Sequence, residues 1–202
     1  MKIFAEKKAE DFLEKNGFEV VKRKFINKKF LLKRHIRNFG FPFVMKVSGN
    51  KIIHKNKIGG VKFGIKTYSE ALYEYSKLSR IKNSEGVVIQ EQLKGTEIFF
   101  GIKKTNEFGQ VILFGQGGTN VESSRNVNFG ILPLSKSEIR QMIKKNSYGR
   151  KLSNKSFLFV EKNMIKLNTL IEKNQNIVEL DINPFIVSDG CGKICDARIV
   201  FD

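Results

Sequence analysis

The residues of this chain most able to do chemistry gather in three stretches. The first follows an apolar run, Phe43-Val44-Met45-Lys46-Val47. It is a loop from Ser48 to Gly60 that carries Lys51, His54, Lys55 and Lys57 and closes on Gly59-Gly60. Glycines let backbone N–H groups approach phosphate oxygens, and lysines supply charge. A neutral His54 is a competent nucleophile near pH 7, and lysines beside it disfavour the imidazolium. The same histidine reads equally as a polar loop residue. Lys46 has two readings as well. A buried ammonium is costly without an anion, whereas a lysine on a half-exposed face can snorkel to water. No G-x4-G-K-[ST] segment occurs, so this is not a P-loop.

The second stretch is a C-terminal hairpin, Val178 to Pro184 with a return strand over 193–200. Glu179, Asp181 and Asn183 alternate with Leu180 and Ile182, so the polar three share one face. Asp189-Gly190 is a two-residue turn signal, because both positions must take positive φ. A turn centred there sets Asn183 opposite Asp196. Two hard oxygens side by side suit Mg²⁺ when phosphates supply its other ligands. A one-residue slip would break the pair, and an amphipathic hairpin with its polar face in water competes with this reading. Pro184 suggests an edge or a strand end. The third stretch is glycine-rich, Gly115-Gln116-Gly117-Gly118-Thr119-Asn120.

The elements that must position these stretches are legible in outline. Residues 5–16 predict a helix stopped by Gly17, with Phe12 and Leu13 inward. Phe18–Val21 predicts a short strand and 28–39 a second helix closed by Gly40. Strands are expected over 43–47 and 61–66. Thr67-x-x-Glu70 is a capping box for a helix over 68–80. A meander follows, over 87–93, 96–103 and 110–114. Ser135-x-x-Glu138 caps a helix to about Asn146, and a further helix is expected over 155–174. There is no internal repeat.

Composition narrows the class. With 41% hydrophobic residues, 17 glycines and 3 prolines, the 202-residue chain can bury a core and shows no disordered bias. There is no apolar run long enough to span a membrane and no apolar N-terminal stretch. Cys191 and Cys195, the two cysteines, read as reduced packing residues and make poor evidence for zinc. A cytoplasmic location is expected. The net charge of +17 favours polyanionic partners, nucleotides and coenzyme phosphates among them. The excess is scattered lysine, and the dense run over 22–35, with His35, reads as a solvated helix face. Nucleic acid is not expected as a partner.

Taken together, several motifs carry a resemblance. They are the apolar strand with Lys46, His54-Lys55-x-x-Ile58-Gly59-Gly60-Val61, and Gly95-Thr96-Glu97 with Gly101. Phe114-Gly115-x-Gly117-Gly118 joins them, as do Glu179 through Pro184 and Asp196-Ala197-Arg198. In this order, over nearly all the chain, they resemble the beta subunit of ADP-forming acetate–CoA ligases. These are nucleoside-diphosphate-forming acyl-CoA synthetases, ATP-grasp proteins related to the succinyl-CoA synthetase beta chain. The resemblance implies an α+β ATP-grasp fold whose two lobes, 1–90 and 91–202, clasp a nucleotide. It implies ATP/ADP and Mg²⁺ as cofactors. It implies a hetero-oligomer with an alpha subunit that carries the CoA-binding domain and another phosphohistidine.

Roles follow from the same resemblance. Lys46 would neutralise nucleotide phosphate, and Gly59 and Gly60 would offer it backbone donors. Main-chain groups of the hinge Gln90-Glu91-Gln92-Leu93 would read adenine, and Glu97 would accept from ribose hydroxyls. Asn183 and Asp196 match the magnesium positions, with Asp181 a further candidate. His54 matches the histidine that relays phosphate. The chain departs from the family pattern in several places. Gly49-Asn50-Lys51 stands for Ser-Pro-Asp, Asn56-Lys57 leaves no acid beside the glycine pair, Gly130 stands for an arginine, and Tyr148-Gly149-Arg150 for Tyr-Arg-Gly. These changes add positive charge near His54 and remove an arginine downstream. Two rival readings are a succinyl-CoA synthetase-type ATP-grasp subunit and a basic binding module on a degenerate ATP-grasp scaffold.

Overall fold

The structure, a computed structural model, describes residues 2–49, 51–52, 55–118 and 126–202. The chain divides into two compact units, a continuous one of Val21–Leu93 and a split one of Met1–Val20 with Lys94–Asp202. β1 (Lys2–Phe4) and α1 (Glu6–Lys15) begin the split unit. The continuous unit follows as β2 (Arg23–Ile26), α2 (Leu32–Ile36), β3 (Phe43–Ser48), β4 (Val61–Ile65), α3 (Tyr68–Leu78) and β5 (Gly86–Glu91). The split unit resumes with β6 (Thr96–Thr105), β7 (Gly109–Gln116), β8 (Val127–Ile131), α4 (Lys136–Lys145) and α5 (Asn154–Lys173). It closes with β9 (Ile177–Ser188), β10 (Cys191–Ile194) and β11 (Ala197–Phe201). No described helix is long and apolar enough to cross a membrane.

In the continuous unit an antiparallel sheet of order β2-β5-β3-β4 packs one face on a core of its own. Strand alternation decides which side chains enter it. Phe43, Met45 and Val47 of β3 and Val87 and Ile89 of β5 do, with Ala71, Tyr75 and Leu78 of α3. Thr67 caps α3 by accepting the Glu70 N–H at 3.1 Å. The return bond of the box goes to the Lys66 N–H, at 2.9 Å, one residue earlier than the sequence pattern implies. The strand expected over 18–21 is displaced: the run pairs only through a parallel bridge from Val20 to Ile194, and the strand is Arg23–Ile26. The helix expected over 28–39 contracts to a 3₁₀ turn and the five residues of α2, of which Leu32 and Ile36 are buried.

In the split unit the sheet order is β1-β11-β9-β6-β7-β8, with β10 pairing the far end of β9. Helices α1, α4 and α5 bury apolar stripes against it: Ala9 and Leu13, Ile139 and Ile143, Val160, Met164 and Leu167. Ser135 and Glu138 form the full reciprocal capping box at α4. Arg140 of α4 clamps the buried Glu161 of α5 with Nε and Nη2 at 2.9 and 3.0 Å. That fork geometry is what lets a carboxylate sit inside.

Two differences from the sequence division have physical causes. Residues 2–4 pair with 199–201 as β1 on β11, so the N-terminal segment belongs with residues 94–202 and not with 21–93. Pro184 is neither at an edge nor at a strand end. β9 lies between β6 and β11, and the proline falls where β9 holds two residues, Asn183 and Pro184, against the single Phe99 of β6. A bulge relieves the ladder of the donor that proline lacks.

Candidate functional site

The hairpin keeps the register set by its turn. Asp189 and Gly190 both take positive φ, 49° and 79°. Ser188 pairs with Cys191 and, past a break at Cys195-Asp196, Ala197 pairs with Ile182. The return strand is therefore two strands, and between them the Asn183 N–H donates to the Asp196 C=O at 3.0 Å. Directly opposed residues of an antiparallel pair project to one face, so Asn183 and Asp196 share a face of the hairpin.

Asn183 reaches further. Its Oδ1 accepts the Gly118 N–H at 2.7 Å, and its Nδ2 donates to the Gly118 C=O at 3.3 Å. The preceding Gly117 N–H donates to the Glu97 C=O at 2.9 Å. Space at this glycine pair is closed. A Cβ on Gly117 would stand 2.6 Å from the Ile98 carbonyl oxygen, and one on Gly118, whose φ is +92°, would stand 2.2 Å from Glu97 Oε2. The structure thus gathers Glu97 from β6, Gly117 and Gly118 after β7, and Asn183 with Asp196 from the hairpin.

Asp181 is placed differently. It pairs across the ladder with Arg198, whose guanidinium bonds Glu179 and lies 3.9 Å from Asp181 Oδ2. Burial, then the hydrogen bond and negative charge of Glu179, push the Asp181 carboxyl up to about 6, against the pull of Arg198 and Lys103. Such a group binds a cation less well than an ordinary carboxylate. Among the described residues no group of three or more His, Cys, Asp and Glu side chains converges to hold a metal. What the hairpin offers is one amide and one carboxylate oxygen. That set fits Mg²⁺ only as a partner to phosphate oxygens and water.

Glu97 also lines a cleft of about 390 Å³ with Gly95, Thr96, Gln116, Gly117, Tyr148 and Lys151. Sequence spacing does not single out Gln116, Tyr148 or Lys151 as site residues. The lysine ammonium lies 5.2 Å from the Tyr148 ring centre. Both sit on the segment between α4 and α5, which is fixed at two points. Asn146 is fully buried, accepts the Tyr148 N–H at 2.9 Å and donates to the Asn128 side chain at 2.8 Å. At Gly149 a Cβ would stand 2.0 Å from the Ile143 carbonyl oxygen, so only glycine fits. The available signal was a helix running into Asn146 and then Tyr148-Gly149-Arg150-Lys151.

In the continuous unit Lys46 is 5% exposed, which is not a snorkelling lysine on a half-exposed face. It stands between Val88 of β5 and Val61 of β4, on the sheet face away from Met45 and Val47. One residue on, the Val47 N–H donates to the Gly60 C=O at 2.8 Å, and the Gly60 N–H donates to the Lys55 C=O at 2.7 Å. The end of the loop is thereby pinned beside Lys46. Gly59 takes φ +66°. His54 lies outside the described residues. At the unit's end, Glu91 accepts the Lys22 N–H at 2.8 Å and Gln92 accepts the Gly64 N–H at 2.8 Å through their side chains. The Glu91 N–H donates to the Lys22 C=O at 3.0 Å, so main chain and side chain of Glu91 both hold Lys22.

Comparison with known proteins adds names to this geometry. Residues 1–201 match a family model described as an ATP-grasp domain. A curated relative, acetate–CoA ligase [ADP-forming] II of Archaeoglobus fulgidus, is 34% identical over 98% of this chain but only 30% of its own length. The chain thus spans about a third of the first curated relatives it matches. The beta subunit of acetate–CoA ligase [ADP-forming] I of Pyrococcus furiosus is 28% identical over 96% of this chain and 90% of that subunit. Among solved structures, a dinucleotide-forming acetyl-coenzyme A synthetase 1 of Ca. Korarchaeum cryptofilum, in complex with coenzyme A, Ca-AMPCP and HgCl⁺, superposes with TM-score 0.89. It is 27% identical and covers 100% of this chain and 94% of its own. A second complex of that protein holds Mg-AMPPCP with its phosphohistidine segment pointing towards the nucleotide-binding site. It has TM-score 0.82 and 26% identity, over 100% of this chain and 93% of its own.

Proposed function

Because this chain belongs to the ATP-grasp domain family, we propose that it is the nucleotide-binding part of an ADP-forming acyl-CoA ligase, working as a beta subunit with an alpha partner. The observation that carries the reading is the gathering of Glu97, the Gly117–Gly118 pair, Asn183 and Asp196 in one unit. It is supported by likeness to a named beta subunit over nearly its whole length.

The reaction direction is ATP synthesis. The alpha partner binds CoA, forms the acyl phosphate and supplies the phosphoryl group. His54 of this chain carries that group as a phosphohistidine to ADP. There the P–N bond breaks, a P–O bond to the terminal oxygen of ADP forms, and the imidazole nitrogen keeps the electron pair. Such a transfer needs position and charge neutralisation more than covalent help. Lys46 supplies a fixed cation, and Gly59 and Gly60 bring backbone donors to the phosphates. The main chain of Glu91, Gln92 and Leu93 reads the base, and Glu97 accepts from the ribose hydroxyls. Asn183 and Asp196 would hold Mg²⁺, which when bound would neutralise phosphate charge. Asp181, turned to Arg198, tunes the charge of the hairpin.

The test is binding first and turnover second. Mg·ADP at about a hundred times its dissociation constant should stabilise the chain by about 2.7 kcal/mol, a rise in Tm of roughly 5–10 °C. Lys46→Met should abolish that rise, measured against the variant's own unliganded Tm, because it removes the cation that faces the phosphates. Asp196→Ala should abolish it as well. His54→Ala should keep the rise and, reconstituted with the alpha partner, lose ATP formation from acyl-CoA, phosphate and ADP. Acid-labile phosphate on the wild-type chain and none on the variant is the expected companion. A chain unmoved by Mg·ADP overturns the reading, and a His54→Ala variant with normal turnover overturns the relay.

A further inference from the structure

We propose that Asn183 is a positioning residue: its side-chain amide latches Gly118, and through it the glycine pair, against Glu97, while keeping one oxygen lone pair directed away from the latch. The role as a cation ligand rests on the nucleotide reading above; the latch itself does not.

The amide of Asn183 meets Gly118 twice, with Oδ1 on the N–H at 2.7 Å and Nδ2 on the C=O at 3.3 Å. Only one orientation of the amide satisfies both. Reversed, it would set a donor against the Gly118 N–H and an acceptor against the C=O. Asn183 is 65 residues from Gly118 in sequence, so this is a tertiary bond between β9 and the segment after β7. The β9 bulge at Asn183 and Pro184 is what aims the side chain out of the ladder. Its main chain stays fixed by the bond to Asp196.

The far end of the latch is the Glu97 carboxylate. Gly118 approaches it so closely that a Cβ would stand 2.2 Å from Oε2, and the Gly117 N–H holds the Glu97 C=O. Hydrogen bonds thus run from the Asp196 main chain through Asn183 to Gly118, and from the adjoining Gly117 to the Glu97 main chain. An amide oxygen accepts two bonds. With one lone pair of Oδ1 on Gly118, the other has a fixed direction. A residue that both orients the wall of a site and offers a preset ligand oxygen does two jobs with one side chain. A carboxylate at 183 could still accept the Gly118 N–H but would set an acceptor against the Gly118 C=O, so it could close the latch on one side only.

That contrast supplies the experiment. Amide exchange of the wild-type chain, without metal or nucleotide, is measured residue by residue by NMR. The latch requires the Gly118 N–H to be protected at least about tenfold over an open amide, and Asn183→Ala to remove the protection. Mg·ADP affinity is then compared for wild type and Asn183→Asp. If Asn183 were a ligand and nothing more, the aspartate, an equally hard oxygen donor with added charge, would bind Mg·ADP at least as well. The latch predicts about tenfold or greater loss, as for other residues that orient a metal site, because a carboxylate oxygen would replace the donor facing the Gly118 C=O. An exposed Gly118 amide in the wild type, or an Asn183→Asp variant with wild-type affinity, overturns the proposal. If the wild-type chain binds no Mg·ADP, the nucleotide reading falls, while the exchange of Gly118 still decides the latch.

Discussion

In the loop that closes on β4, Gly59 takes φ +66° with open space where a side chain would be, and Gly60 lies against Val47 Cγ1 and the Lys55 carbonyl. In the segment after β7, Gly117 lies against three backbone atoms of Ile98, and Gly118 combines φ +92° with the Glu97 carboxylate. Both pairs read as Gly-Gly in the sequence. The first is glycine for its backbone angle at Gly59 and, at Gly60, for a gap between a side chain that can turn and one carbonyl that cannot. The second is glycine because backbone and a charged side chain already fill the space. A conformational requirement can be met by another residue that tolerates the left-handed region, whereas a volume requirement cannot.

Substitutions can break that contrast. Gly117→Ala has the largest expected effect, since the atoms in its way are backbone and cannot swing aside. Overpacking of this kind costs about 2–3 kcal/mol and should lower the Tm by roughly 5–10 °C. Gly60→Ala should cost about 1–2 kcal/mol, because Val47 can turn but the Lys55 carbonyl cannot. Gly59→Ala should cost about 1 kcal/mol through φ alone, and Gly59→Asn distinctly less, as Asn tolerates this region. Equal costs for alanine at 59 and 117, by thermal or urea unfolding, would erase the distinction between the two pairs.

The smallest effect sharpens the comparison on the electrostatic side. His35 shares the continuous unit with the His54 loop, and its pKa is lowered from 6.5, first by burial and then by Lys24 and Arg34. A histidine whose folded pKa is depressed contributes stability that is present above the unfolded value. That stability is lost as pH falls through 6.5 toward the folded pKa. Stability should therefore decline slightly below pH 6.5, and His35→Gln should flatten that decline. An imidazole signal of His35 titrating above 6.5 would show that the basic run over 22–35 does not act on it.

Local chemistry was the legible part of this molecule. Asp189-Gly190 wrote its own turn, and from it the pairing of Asn183 with Asp196 follows by counting. Ser135 and Glu138 wrote the start of α4. What could not be read depends on distant partners. β8 is an edge strand with Phe129 72% exposed and Gly130 beside it, so no alternation marks it. The burial of Lys46 comes from strands on both sides of it. The bond from Asn183 to Gly118, the entry of Tyr148 and Lys151 into the cleft, and the joining of residues 2–4 to 199–201 are likewise tertiary. Pattern along a chain does not carry them.

That last joining has a consequence for how the chain is made. Among the described residues the four strands of the continuous unit all fall within 23–91, so its sheet can close before residues 94–202 have left the ribosome. The seven-stranded sheet cannot, because among the described residues Lys2–Phe4 pairs with Ile199–Phe201, across the whole of the intervening chain. Contacts of such range are the slow ones to form. β1 should be among the last strands of its sheet to dock. Until it does, the exposed edge of β11 is the place where a nascent chain is open to mispairing.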